Sequence, residues 1–98
     1  MEATVRVPIG PEWDLKDSCL WFEIALKAGP VLCRIDAQCF MNSLGATSPS
    51  GAACRAAFVA ARPRILALAL AQAEAGHLSS RPYMRRPFVW LTEKDFAS

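Results

Sequence analysis

Very little in this chain announces chemistry. It has one histidine and five glycines, and its apolar runs are short. The most apolar stretch, Ala52 to Ala73, is interrupted by Arg55, Arg62, Pro63 and Arg64, leaving Ile65–Ala71 unbroken, against the roughly 18 residues a membrane span needs. No membrane helix is expected. Ser48-Pro-Ser-Gly51 has neither the repeated glycines nor the lysine of a phosphate-binding loop. The four cysteines, Cys19, Cys33, Cys39 and Cys54, form no closely spaced pair and have no histidine near them, which argues against zinc and against a disulfide framework. They read as reduced thiols used as small hydrophobes, with no metal and no cofactor implied. The opening Met1-Glu-Ala-Thr-Val-Arg6 is unlike a secretion signal and is soon followed by Pro8 and Pro11, so a cytoplasmic location is expected.

What is present is a domain-sized apolar chain. Its 98 residues suit one domain, burying roughly 60–65% of the surface an unfolded chain would expose. Hydrophobic residues make up 53% and charged residues 20%, far from the composition of a disordered segment. Charge is unevenly spread. Residues 1–50 carry four Lys/Arg against six Asp/Glu, and residues 51–98 carry seven against three, six of the seven being arginine.

Periodicity sets the expected elements. Thr4–Val7 reads as a short edge strand ended by Pro8. Leu20, Phe22, Ile24 and Leu26 alternate with Cys19, Trp21 and Glu23, and Val31, Cys33 and Ile35 alternate with Leu32 and Arg34. That is the period-2 pattern of two strands with one buried face each, joined as an antiparallel hairpin through Lys27-Ala-Gly-Pro30. Asp36 is placed to cap a helix over Ala37–Leu44, with Gly45 as its stop. Ser48-Pro49 reads as the start of a long helix ending near Ala75, with Cys54, Phe58, Ala61, Ile65, Leu68 and Ala69 on its apolar stripe. Pro63 lies inside that pattern, so a kink or a break near Ala60–Arg62 is expected and the helix divides in two. Phe88–Leu91 reads as a third main strand, and Thr92 as the cap of a last turn over Glu93–Phe96. The order β-β-α-α-β predicts an α+β domain spanning residues 1–98, a small antiparallel sheet with helices packed on one face.

Trp13-Asp14, the strand around Trp21–Ile24, Val31–Ile35 leading to Phe40 and Leu44-Gly45, Phe58-x3-Arg62-x2-Ile65, and Val89–Leu91 with Asp95-Phe96 together resemble the small bacterial family catalogued as domain of unknown function 1488. The resemblance implies a small cytosolic α+β protein. It brings no catalytic residues to carry over.

Candidate sites are few. Arg62 sits on the apolar arc, where a charge must be paired or reach to solvent, so a brace to a carboxylate such as Asp36 or Asp95 is expected, with an anion site as the alternative. Arg81, Tyr83, Arg85 and Arg86 interleave guanidinium groups with an aromatic, a pattern suited to phosphate contact and base stacking, though an ordinary solvated loop shows the same residues. His77 follows a helix end, where its cationic form would sit well by the last carbonyls. Glu12, Asp14 and Asp17 read as a solvated acidic loop between strands. Trp21 and Trp90 fall on the face away from the helices, either as a binding surface or with one of them in the core and Trp13 closing its edge. Ala57, Ala60, Ala67 and Ala71, with Arg64 and Glu74, form a small-residue helix face through which two copies could pair. No nucleophile and base are spaced to act together, so an enzyme is not expected. The reading is a protein-interaction module, partnered by another protein or by its own copy; the alternative is a nucleic-acid-binding regulator using Arg81–Arg86.

Overall fold

The computed structural model describes residues 11–82 and 86–97. The expected Thr4–Val7 strand, Tyr83 and Arg85 lie outside them. The chain runs β1 (Glu12–Asp14), β2 (Cys19–Leu26), β3 (Gly29–Asp36), α1 (Ala37–Ser43), α2 (Gly51–Ala60), α3 (Arg62–Glu74), β4 (Phe88–Leu91) and α4 (Glu93–Phe96). It is an α+β fold.

The sheet has the order β1-β2-β3-β4. β2 and β3 form the expected hairpin, in register from Cys19↔Asp36 to Leu26↔Gly29. Gly29 closes its turn at φ +132, a conformation that side-chain-bearing residues rarely adopt. Two features differ from the sequence reading. The acidic loop contains a strand, since β1 pairs antiparallel with β2 through Trp13↔Leu20. And β4 lies parallel to β3, Leu32↔Phe88 through Ile35↔Leu91, so the sheet is mixed rather than wholly antiparallel. A parallel neighbour requires a crossover, and α1, α2 and α3 provide it.

One sheet face carries Leu20, Phe22, Ile24, Cys33, Ile35, Val89 and Leu91 into the core, where they meet Phe40 from α1, Cys54 and Phe58 from α2, Ile65 and Ala69 from α3, and Phe96 from α4. Phe22 and Phe58 pack edge to face at 5.0 Å. Trp13 closes the edge of this core and lies against Gly51 at the start of α2.

The long helix is broken as expected. α2 ends at Ala60, Ala61 leaves the helical path, and α3 departs at 84° with Pro63 in its first turn, where a missing N–H breaks no bond. Among the described residues no single helix is long and apolar enough to cross a membrane. The start of α2 is two residues later than expected: Ser50, not Ser48, accepts from the Ala53 N–H at 3.2 Å, while Ser48 supports Ser50. Gly76, at φ +76, ends α3, and the His77 and Gly76 N–H groups donate to the Gln72 and Ala73 carbonyls. Thr92 caps α4 as expected, exchanging bonds with Asp95 in a capping box.

Candidate functional site

The sheet face turned away from the helices is where the polar chemistry collects. Alternation along β2, β3 and β4 puts Trp21, Arg34 and Trp90 on this side, and their register (Trp21↔Arg34, Arg34↔Trp90) lines them up across three strands. The Arg34 guanidinium lies 5.5 Å from the Trp21 ring centre and 4.6 Å from that of Trp90, within cation–π range of both. Its Nε–H donates to Asp36 Oδ1 at 2.7 Å, and Asp17 approaches at 3.9 Å. Arg34 is the most buried charge described, 6% exposed. Burial opposes its proton affinity, but the Asp36 hydrogen bond and charge outweigh burial and raise it.

Carboxylates also hold both indoles. Trp21 Nε1–H donates to Asp14 Oδ2 and Trp90 Nε1–H to Asp36 Oδ2, each at 3.2 Å. The Lys16 and Asp17 backbone N–H groups complete the shell of Asp14, and its acidity is increased mainly by the Asp17 bond, against the opposing effect of burial. Beside the row on the same face, Phe88 is fully buried, edge-on to Trp21 at 5.2 Å and tilted against Trp90 at 6.1 Å. Cys19 is fully buried in the adjoining rung between Asp14 and Asp36, and desolvation pushes its thiol up to about 12. Trp21 and Trp90 remain half-buried.

Arg81 extends the row. Its chain segment joins the sheet through the antiparallel Ser79↔Phe88 bridge, and its guanidinium lies over Trp90 at 4.7 Å. Beside Trp90 a groove of about 410 Å³ opens between Asp36 and Cys39 on one side and Leu91 through Lys94 on the other. It therefore sits at the carboxyl ends of the two parallel strands, the end at which open α/β sheets place their ligands.

Other expected site residues are placed differently. Arg62 has no carboxylate brace among the described residues: Asp36 is engaged by Arg34 and Trp90, and Asp95 by Gln72 and Thr92. Its guanidinium lies 6.0 Å from the Phe58 ring, and its Nε is buried without a hydrogen-bond partner. The brace belongs to Arg34, which strand alternation had placed on the outward face. Asp36 stands at the N-cap of α1 but makes no side-chain cap bond, because its carboxylate turns to Arg34 and Trp90. Arg64 points to the chain's later turn, donating to the Phe96 carbonyl and covering the Phe96 ring at 5.3 Å. Arg86 is tied to Glu23 Oε2 at 2.9 Å and to the Pro30 carbonyl at 3.2 Å, so two of its donors face the protein. His77 bonds the Gln72 side chain at 2.8 Å.

The small-residue helix face does not form one surface. The 84° bend separates Ala57 and Ala60 from Ala67 and Ala71, and Ala57 is buried in the core. Val59 on α2 is 62% exposed. The cysteines are free and buried, and desolvation pushes the Cys33 and Cys39 thiols up to about 12 as well.

Comparison with curated proteins and with solved structures returns no match. The model of the DUF1488 family, described as a protein of unknown function, matches residues 8–80. That span holds β1 through α3, with Trp21, Arg34 and the three aspartates, while Arg81, Trp90 and α4 fall beyond it. The chain belongs to the DUF1488 family.

Proposed function

We propose that this protein is a non-enzymatic interaction module that binds another protein through the outer face of its sheet, around Trp90. The observation that carries this reading is the half-buried Trp90, which has the Arg81 guanidinium over its ring and itself lines the 410 Å³ groove. Tryptophan and arginine dominate binding hot spots, and a ring already fixed by Asp36 loses little freedom when a partner covers it. The disarmed thiols speak against a nucleophilic role: at about 12, Cys19, Cys33 and Cys39 hold almost no thiolate near neutrality.

The nucleic-acid alternative has less support. Arg86 is engaged with Glu23, and the outer face also presents Glu12, Asp14, Asp17 and Asp36, carboxylates that oppose a phosphate backbone.

A photo-crosslinking residue placed at Leu78, which is exposed near the Ser79 bridge, tests the reading in cells. A discrete protein adduct that disappears in a folded Trp90→Ala background is the expected result. An adduct indifferent to Trp90→Ala overturns the reading, and a salt-sensitive gel shift with duplex DNA, lost in Arg81→Ala, replaces it with the regulator.

A further inference from the structure

Resting on the interface reading, we infer that Trp90 recognises an arginine side chain of the partner, and that Arg81 is an internal stand-in that the partner's arginine displaces. The molecule itself shows what chemistry this ring takes. Two guanidinium groups lie over it, Arg34 at 4.6 Å and Arg81 at 4.7 Å. They are held very differently. Arg34 is buried on the strand and locked by Asp36, so it is a fixed part of the fold. Arg81 comes from the segment after α3, and among the described residues it has no carboxylate partner, the contact of its guanidinium there being the cation–π one with the ring.

Such a contact at a solvent-accessible site favours the covered ring by only about two- to fivefold over the open one. An arginine arriving from outside therefore competes with Arg81 at a penalty of about three- to sixfold in apparent affinity, which removal of Arg81 restores. Trp90 is kept in its receptive orientation throughout, because its indole N–H stays on Asp36 at 3.2 Å whichever guanidinium lies above. The groove running from Trp90 past Leu91 to Lys94 then receives the residue next to the arginine, and its floor at Cys39 is apolar. The occupant is thus a segment of another protein with an arginine next to an apolar side chain.

The test uses the full chain and a blocked tetrapeptide, Gly-Arg-Leu-Gly, with its citrulline counterpart. NMR of the three indole N–H signals follows binding at Trp90 separately from Trp13 and Trp21. The arginine peptide should shift the Trp90 signal saturably, Arg81→Gln should tighten that binding by about three- to sixfold, and Arg81→Lys should return it toward the wild-type value. The citrulline peptide should leave the signal in place. Equal binding of the citrulline peptide, or an affinity unchanged in Arg81→Gln, overturns the inference. Loss of the cellular crosslink in Trp90→Ala together with an unmoved Trp90 signal overturns arginine recognition while leaving the interface standing.

Discussion

Gly51 and Trp13 are in contact so close that a Cβ on residue 51 would lie 2.9 Å from the indole Cγ. The glycine opens α2, the tryptophan lies on β1, and the absent side chain is what lets the edge strand close over the helix start. Gly51→Ala is therefore expected to destabilise by about 1–3 kcal/mol even though alanine is the better helix former. Urea unfolding measures this, and Trp13→Leu in the same chain should recover part of the loss. A Gly51→Ala protein at or above wild-type stability would show that the edge strand stands further off.

Arg34 and Arg62 should respond differently to truncation. Arg34→Ala removes the guanidinium held by Asp36 between two indoles, and truncating one partner of a buried pair costs about 3–5 kcal/mol. Asp36 is 32% exposed and can rehydrate, which places the expected loss at the low end of that range. Among the described residues Arg62→Ala removes a distant contact with Phe58 and relieves an unpartnered Nε, so a change within about 1 kcal/mol is expected. Chemical denaturation of both variants settles which residue is the brace.

Acid stability should carry the signature of Asp14. Its folded pKa lies below the ordinary value because the Asp17 N–H, and then the Trp21 indole and the Lys16 N–H, donate to the ionised form. Folding is thus favoured by this group above the unfolded carboxylate pKa, and that contribution is lost as pH falls through the lowered folded value. Asp14→Asn removes the linkage, so its stability difference from wild type should shrink between neutral pH and the acid limb. A constant difference across that range would mean that Asp14 titrates alike folded and unfolded.

Thiol accessibility gives a fourth test. With all four cysteines buried and their thiols raised by desolvation, a thiol reagent should react slowly at neutral pH in the native protein and count four groups after denaturation without reductant. Fast native labelling of even one thiol would contradict the described packing.

The elements governed by repeating patterns were legible in the sequence. The β2–β3 hairpin follows from alternation, the break at Ala61 from Pro63, and the last cap from Thr92 with Asp95. What escaped was decided by contacts distant in sequence. β1 is three residues long and shows no period of its own. The parallel setting of β4 depends on where α3 delivers the chain, which no local signal encodes. Asp36 has the right residue type and place for a cap, yet Trp90, 54 residues away, competes successfully for its carboxylate. Alternation along β3 turns Arg34 outward, and it lies there opposite Trp21 and Trp90. Its burial arises because that face carries its own aromatic cover, the Trp21 and Trp90 rings that flank Arg34, with Phe88 packed beside them. The alternating pattern tells which side a residue takes and says nothing about what else lies there.

The parallel seam between β3 and β4 also orders events in time. β3 ends at Asp36 and its outer neighbour starts only at Phe88, so pairing them closes a loop that includes all three larger helices. Such closure comes after local structure, since its entropy must be overcome before the seam yields any contacts. During synthesis the β2–β3 hairpin emerges well before Phe88-Val-Trp-Leu91, and until that segment arrives the Val31–Ile35 edge presents unpaired backbone groups beside an apolar face. The Val31–Ile35 edge is thus open to misassociation in the growing chain, and how quickly the later segment reaches it sets how long it stays so.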